Sequence, residues 1–503
     1  MSKNGAGVVV MFSMLATGCA ADATDEELPG DEAAVGEEAL ASTCAPPDPG
    51  AGTSSETPYL VPLKTGVSFH ALLTVGDVAR NGYKMVGVPD GLGAFGEHDA
   101  RTFTLLMNHE LEPSQGAVHA HGATGTFVSK WTIDRRSGRV LTGEDLIKWI
   151  VLWNPITAAY DAPAKGIALS RFCSGNLAPR SAFHDHGTHR GYRERLYMNG
   201  EEINGGRGFA HDVESGVSYE LPRMGKMNFE NLVARPESGA KTIVAATDDG
   251  RLGEGEVVLY VGRKTASGSP VQRAGLTNGT LLGLVVAGYP VEPTVATIPS
   301  GTPVTMYDLG DVSALSGTEL QALHVAHGVT GFNRPEDIAW NPRNGNQLFF
   351  HTTANITNST RLWRVTFCDG RNPAAGGTLD LLVDGNSVAV DGVNPRMLDN
   401  LTVSNDGRWV YMQEDPGNQP RLAKLWRFDL ASNTLELLAQ HDPARFDPLV
   451  PGFMTQDEES SGIIDASEWL GPGKFLLDVQ VHKPNPDPSL VEFGQLLVMS
   501  VED

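Results

Sequence analysis

Lys130-Trp131-Thr132-Ile133-Asp134, with Arg135-Arg136-Ser137-Gly138 behind it, is echoed far downstream by Leu425-Trp426-Arg427-Phe428-Asp429 and Leu430-Ala431-Ser432-Asn433. Each is an aromatic-centred run that ends at an acid and a polar turn. Leu362-Trp363-Arg364-Val365, closed by Asp369-Gly370, and Val258-Leu259-Tyr260-Val261 are relatives of the pattern. Short runs of this composition, bounded by turn formers, read as strands. A strand that recurs with its own turn is what the blades of a β-propeller produce.

Working outward, further strand-like runs lie at Thr102–Met107, Thr242–Ala246, Val257–Val261, Gln347–His351, Leu362–Phe367, Trp409–Gln413, Lys424–Phe428 and Lys474–Val481. Asn405-Asp406-Gly407-Arg408 supplies a tight turn. No long helical periodicity appears. Leu141–Tyr160 reads as a helical or irregular excursion, and Gly268–Gly328 as an insertion rich in Gly, Pro, Thr and Val. The fold class is all-β, a β-propeller of about five to seven blades with long loop insertions; a large β-sandwich array is the alternative.

The 503 residues include 57 Gly and 31 Pro, which suits many turns. Hydrophobic content of 41% with 20% charged residues places the chain among globular proteins. A net charge of −23 argues against a nucleic-acid partner, which would call for a basic face. Residues 1–19 read as an export signal: Lys3, the apolar run Val8–Ala16, then Ala16-Thr17-Gly18-Cys19. The last resembles a lipoprotein processing site with Cys19 as the lipidated residue; a simple secretory signal is the alternative. Either reading exports the protein, as a cell-envelope lipoprotein or a periplasmic or extracellular protein. Membrane contact is expected only through that anchor. Residues 20–58 read as a flexible acidic tether, and residues 59–503 as one propeller domain, expected to be monomeric.

Acidic motifs are scattered over this domain: Asn108-His109-Glu110, Gly200-Glu201-Glu202, Phe229-Glu230-Asn231, Thr247-Asp248-Asp249-Gly250, Arg334-Pro335-Glu336-Asp337, Asp399-Asn400 and Glu458-Glu459-Ser460-Ser461-Gly462. Singly, each reads as a turn or a cap. A propeller, however, gathers distant loops around one channel, and converged carboxylates require cations. Oxygen ligands suit calcium. A thiolate would favour a transition metal such as iron or zinc. Cys173, in Cys173-Ser174-Gly175, is either a buried inert cysteine or such a ligand. Arg334-Pro335-Glu336 is either a structural ion pair or a guanidinium placed to clamp a phosphoryl group. His184, His186 and His189 lie in a segment without zinc spacing and read as an exposed polar loop, with a metal site as the alternative. There is no Gly-x-Ser-x-Gly nucleophile elbow.

Taken in order, these motifs resemble the PhoX family of alkaline phosphatases. The matching residues are Asn108-His109-Glu110, Cys173-Ser174-Gly175, Glu201-Glu202, Glu230, Asp248-Asp249, Arg334-Pro335-Glu336, Asp399-Asn400, Glu459-Ser460-Ser461-Gly462 and Val479-Gln480-Val481-His482-Lys483-Pro484. The resemblance implies a propeller phosphatase acting on phosphorylated small molecules through ferric iron (Fe3+) and calcium (Ca2+). It implies Cys173, Glu202, Glu230 and Glu336 as iron ligands, and Asp248 or Asp249, Asp399, Asn400 and Glu459 as calcium ligands. Glu110 and Glu201 join the metal-ligand set. Arg334 and Glu336 would be catalytic, with Arg334 and His482 contacting substrate. The chain departs from the family pattern at Asn199-Gly200, where threonine–cysteine is usual, and in the histidine-rich Ala182–Arg195. Two other readings fit a propeller with such motifs: a non-catalytic, calcium-stabilised surface protein binding a partner or glycan, and a calcium-dependent lactonase or esterase.

Overall fold

Six largely antiparallel blades, each of four strands or more, follow one another along the described chain. The computed structural model describes residues 52–96 and 101–502; the signal segment with Cys19, and most of the tether, lie outside the described residues. The inner strands of blades 1 to 6 are Pro89–Gly96, Phe172–Leu177, Phe229–Ala234, Pro335–Trp340, Leu398–Val403 and Glu458–Asp465. Each packs beside the next, and the sixth returns to the first, so the ring is closed. This is a six-bladed propeller, within the range read from the sequence.

The repeated aromatic strands are third strands of blades. Trp131 lies in Phe127–Asp134 of blade 1, Trp363 in Arg361–Phe367 of blade 4 and Trp426 in Lys424–Asp429 of blade 5. All three indoles are fully buried. Each indole N–H donates within its own blade: to Ser129 Oγ (2.7 Å), Thr352 Oγ1 (3.1 Å) and Glu414 Oε1 (2.9 Å). That pattern lets a large apolar side chain be buried without stranding its one donor. Six hydrophobic clusters fill the six blade interfaces. The eight expected strands all fall within observed ones.

Two expectations are corrected. Leu141–Tyr160 contains no helix; it completes blade 1 with Val140–Asp145 and adds Trp149–Val151 beside blade 2. Gly268–Gly328 is not merely inserted. Its strands Thr280–Val286 and Thr302–Gly310 belong to blade 3, and the latter pairs with Gly377–Asp384 of blade 4, fusing both blades into a nine-stranded sheet. The β-branched runs Val285-Val286 and Val304-Thr305 support these strands. Residues near the start of the described chain close the ring: Val67–Thr74 is the outer strand of blade 6, and Leu60–Pro62 adds to blade 5. Part of the expected tether is also fixed, since Gly52 and Ser55 hydrogen-bond the body at Val78, Val140 and Asp77. No described helix is long and apolar enough to cross a membrane.

Candidate metal centre

A single hydrogen bond closes the mouth of every blade. In each, the N–H just past the second strand's first pair, or at its counterpart, donates to the carbonyl of the residue preceding the inner strand. The six are Glu110 to Val88 (2.9 Å), Glu202 to Arg171 (2.8 Å), Asp249 to Asn228 (2.8 Å), Thr353 to Arg334 (3.0 Å), Asp415 to Met397 (2.9 Å) and His482 to Asp457 (3.1 Å). Two residues beyond each carbonyl stands one side chain: Asp90, Cys173, Glu230, Glu336, Asp399 and Glu459. Six blades thus present six potential metal ligands at one register position, forming an inner ring. The donors themselves supply an outer ring of Glu110, Glu202, Asp249, Thr353, Asp415 and His482.

A β-bulge aims the inner ring. In blade 2, Cys173 and Ser174 together face Gly200. The same two-against-one pairing sets Asp90-Gly91 against Asn108, Glu230-Asn231 against Thr247, Glu336-Asp337 against His351 and Asp399-Asn400 against Gln413. In blade 6 the bulge is displaced to Ser461-Gly462, and Ser461 Oγ donates to Glu459 Oε1 at 2.7 Å. Bulges bend the strand and re-aim one side chain. Here they are propped from the neighbouring blade: Asn108 Nδ2 donates to Cys173 O (2.6 Å), His351 Nδ1 to Asp399 O (2.8 Å), and Gln413 Nε2 to Ser461 O. Gly91 allows a close approach between blades 1 and 2. A Cβ there would lie 2.2 Å from Gly175 N. Gly200 is likewise forced, because a Cβ would stand 2.3 Å from that of Phe229.

Three groups bring ligand atoms within 4.8 Å of one another: Asp90, Glu110 and Cys173; Cys173, Glu202 and Glu230; Glu230, Glu336 and Asp399. Shared members join them into one continuous centre. Burial first, then the neighbouring carboxylates, push the Asp90, Glu230, Glu336 and Asp399 carboxyls well above the usual range. Burial raises Glu202 to about 8, with Glu110 adding to the rise and Arg171 opposing it. The Cys173 thiol is raised by burial and then by Asp90. Glu230 Oε1, Asp399 Oδ1 and Asn400 Oδ1 are buried without a hydrogen-bond partner. Such a set carries either bound protons or cations. The sulfur-containing groups suit a transition metal, and the all-oxygen Glu230–Glu336–Asp399 group suits calcium.

Two arginines stand at the mouth. Arg334 Nε and Nη2 fork onto both Asp249 oxygens at 2.9 Å each, and Nη2 lies 3.1 Å from Glu336 Oε1. Arg171 Nη2 lies 2.7 Å from Glu110 Oε1 and 2.6 Å from Glu202 Oε2. His482 sits between Glu492 (2.8 Å) and Glu459 (3.7 Å). Burial opposes its charge, but the two carboxylates prevail and raise its pKa to about 11. Arg171, His482, Asp415 and Glu459 line a cavity of about 230 Å³.

Of the residues expected from sequence, Glu110, Cys173, Glu202, Glu230, Asp249, Arg334, Glu336, Asp399, Glu459 and His482 occupy this mouth. Asn400 sits one position deeper, where Nδ2 donates to Ser174 Oγ at 2.7 Å. Glu201 and Asp248 do not join. Strand side chains alternate, so the residue before a channel-facing one points into the blade. Glu201 is forked by Arg207 at 2.6 and 2.7 Å, and Asp248 faces Glu256. His184 is buried and accepts from Arg193 Nε, while His186 and His189 are exposed; none belongs to a metal-binding group among the described residues. The sequence reading missed Asp90, Arg171, Asp415 and Asp478. Val88-Pro89-Asp90 shares its proline–acid step with Arg334-Pro335-Glu336, and Glu414-Asp415 is an acid pair like Glu201-Glu202. Asp478, fully buried opposite the blade 6 bulge, carried no such signal.

No protein-family model matches this chain. No curated protein matches it either. Among solved structures, that of Pseudomonas fluorescens PhoX in complex with vanadate, a transition state analogue, has 14% sequence identity and a TM-score of 0.62; the match covers 90% of this chain and 98% of that one. The β-propeller domain of Myceliophteria thermophila Cps50 (Swd1) is a more distant likeness, at 9% identity and a TM-score of 0.31 over 84% of this chain and 98% of that one. The chain has a PhoX-like propeller fold.

Proposed function

We propose that this chain is an exported, metal-dependent phosphatase that hydrolyses phosphate monoesters at the channel mouth. The observation that carries the reading is the sixfold ring, in which every blade delivers Asp90, Cys173, Glu230, Glu336, Asp399 or Glu459 to one register position. Its fold likeness to PhoX, solved with vanadate as a transition state analogue, is compatible with that reading. Cys173, Glu202 and Glu230, with Asp90 and Glu110, would hold iron; Glu230, Glu336 and Asp399, with Glu459, would hold calcium. Bound there, the cations would neutralise the phosphoryl oxygens and lower the pKa of a nucleophilic water.

The chain's own groups bind and orient. Arg334 is fixed by Asp249 and Glu336, and 31% of its side chain remains exposed toward the mouth. Arg171, 39% exposed, stands on Glu110 and Glu202. Two preformed guanidinium groups suit the equatorial oxygens of a phosphoryl group. His482, held as imidazolium between Glu459 and Glu492, adds a third positive charge. In the reaction, water oxygen bonds to phosphorus as the ester P–O bond breaks, and the leaving alkoxide takes up a proton.

The decisive experiment is hydrolysis of a chromogenic phosphate monoester, with elemental analysis of natively exported protein. Turnover that chelation abolishes, and that Arg334→Ala and Glu336→Ala cripple in folded protein, is the expected result. Calcium-dependent melting with no turnover would replace this reading by the non-catalytic one. Lipid attachment at Cys19 and a monomeric state belong to the same proposal.

A further inference from the structure

Blade 3 lies between the two blades that carry Arg171 and Arg334, and at their position it has an asparagine. Asn228 gives its carbonyl to the closing bond of blade 3, as Arg171 does in blade 2 and Arg334 in blade 4. Its polar groups are spent locally: Nδ2 donates to the Asp249 carbonyl, and its N–H to Asp248 Oδ1 at 2.9 Å. The stretch of mouth between the two guanidinium groups is therefore edged by a short, uncharged side chain.

Behind Asn228 opens a cavity of about 1010 Å³. Its rim is the chain that follows two outer-ring residues: Asn204 comes two positions after Glu202, and Gly250 directly after Asp249. The cavity thus adjoins the mouth. Its far wall is the helix Gly317–Ala326, seated so closely that a Cβ on Gly317 would lie 2.9 Å from Gly205 Cα. Sites for small organic ligands run to roughly 300–1,000 Å³, with apolar walls and a few convergent polar groups. Here Met227 and Leu320, both buried, supply apolar surface. Lys226 and Arg251 stand among the lining with Asp248 and Glu254, so the walls carry balanced charge. His324 also lines the space. It is 1% exposed, and neither ring nitrogen has a hydrogen-bond partner. The neighbouring Asp248 and Glu256 side chains bond each other instead. A neutral imidazole offers one donor and one acceptor, and a hydroxyl group answers either.

We infer that this cavity is the leaving-group subsite, and that the alcohol it takes is uncharged, hydroxyl-rich and at least the size of a sugar. The inference rests on the phosphatase reading: a phosphoryl group held by Arg171 and Arg334 spans blade 3, and its ester oxygen departs over Asn228 into the cavity. The test compares glucose 6-phosphate with ethyl phosphate on the full, metal-loaded chain. Glucose 6-phosphate should have the higher kcat/KM by about 10-fold or more, chiefly through KM. Ala322→Trp, which builds an indole into the cavity from an exposed helix position, should bring that ratio close to one. Equal kcat/KM for the two esters, or a ratio that Ala322→Trp leaves unchanged, would overturn the subsite and leave the phosphatase reading standing. Turnover of neither ester would count against the phosphatase reading alone. The subsite is then decided by diffraction from crystals soaked with the non-hydrolysable phosphonate analogue of glucose 6-phosphate. The sugar ring is expected against Met227 and Leu320, and a ring lying outside the cavity would overturn the inference.

Discussion

Arg171 holds in blade 2 the place that Arg334 holds in blade 4. Each gives its carbonyl to the closing bond of its blade, and each stands two residues ahead of a ring ligand, Cys173 and Glu336. Both adopt positive φ, 40° and 59°. A non-glycine residue in that region is disfavoured by about 1–2 kcal/mol. The blade offsets that cost at every mouth where it occurs, and Val88 and Met397 share the conformation in blades 1 and 5.

From this equivalence, both arginines are expected to matter for catalysis. Arg171→Ala and Arg334→Ala should each lower kcat/KM for a phosphate ester by about 10²-fold, the scale of losing one charge-stabilising donor group. Arg334→Lys should not restore it, because lysine cannot reproduce the fork on Asp249. Steady-state kinetics on folded variants decide the matter, and an unchanged kcat/KM for Arg171→Ala would refute its role.

Strand alternation separates neighbours that look interchangeable. Glu202→Gln should remove bound cation while leaving the melting temperature of the cation-free protein unchanged or higher, since it relieves repulsion with Glu110. Glu201→Gln should do the reverse, keeping the cation and destabilising the fold. It strips Arg207 of its bidentate partner, a loss we place at about 2–3 kcal/mol. That is below the ~3–5 kcal/mol of a fully buried pair, since Arg207 is 24% exposed. Metal content and melting curves of the two variants supply the check.

The propeller was legible because its third strands repeat an aromatic pattern, and the centre because its acids lie beside turn formers. What was not legible follows from the geometry. Glu201 and Glu202 are both acids, and only strand pairing tells which one faces the channel. Arg171 lies before an apolar Phe172 and a cysteine, so nothing local marks it as the counterpart of Arg334. Asp478 enters through the blade 6 bulge, which is displaced from the position seen in the other blades. Thr280–Val286 was hidden in a Gly- and Pro-rich stretch whose turns dominate its composition.

Cation removal should make stability strongly dependent on pH. The carboxyls of Asp90, Glu230, Glu336 and Asp399 are raised in the folded chain. In cation-free protein, the stability they contribute is therefore present below their unfolded values, 3.8 for Asp and 4.5 for Glu, and is lost as pH rises through the folded ones. For Glu202 that loss extends to about 8. Cations replace the protons and remove the dependence. Melting temperatures with chelator should accordingly fall as pH rises above about 6.5, the ordinary histidine value, while calcium-loaded protein holds level over that range. Parallel curves would count against a shared cation centre.

The calcium-loaded protein should instead fail on the acid side, through histidines remote from the ring. Burial lowers His211 and His441 to about 3, and both are hydrogen-bonded, to Asn199 Oδ1 and Ser460 Oγ. The unfolded chain binds these protons near the ordinary value of 6.5. Between roughly 6.5 and 3 it therefore carries more protons than the folded state, and stability falls with pH by up to ~1.4 kcal/mol per unit for each histidine. Above 6.5 their contribution is complete. The calcium-loaded melting temperature should be flat above that value and drop steadily below it. His441→Gln should flatten the acid limb while lowering the plateau. An acid limb unchanged by this substitution would assign the loss to other groups.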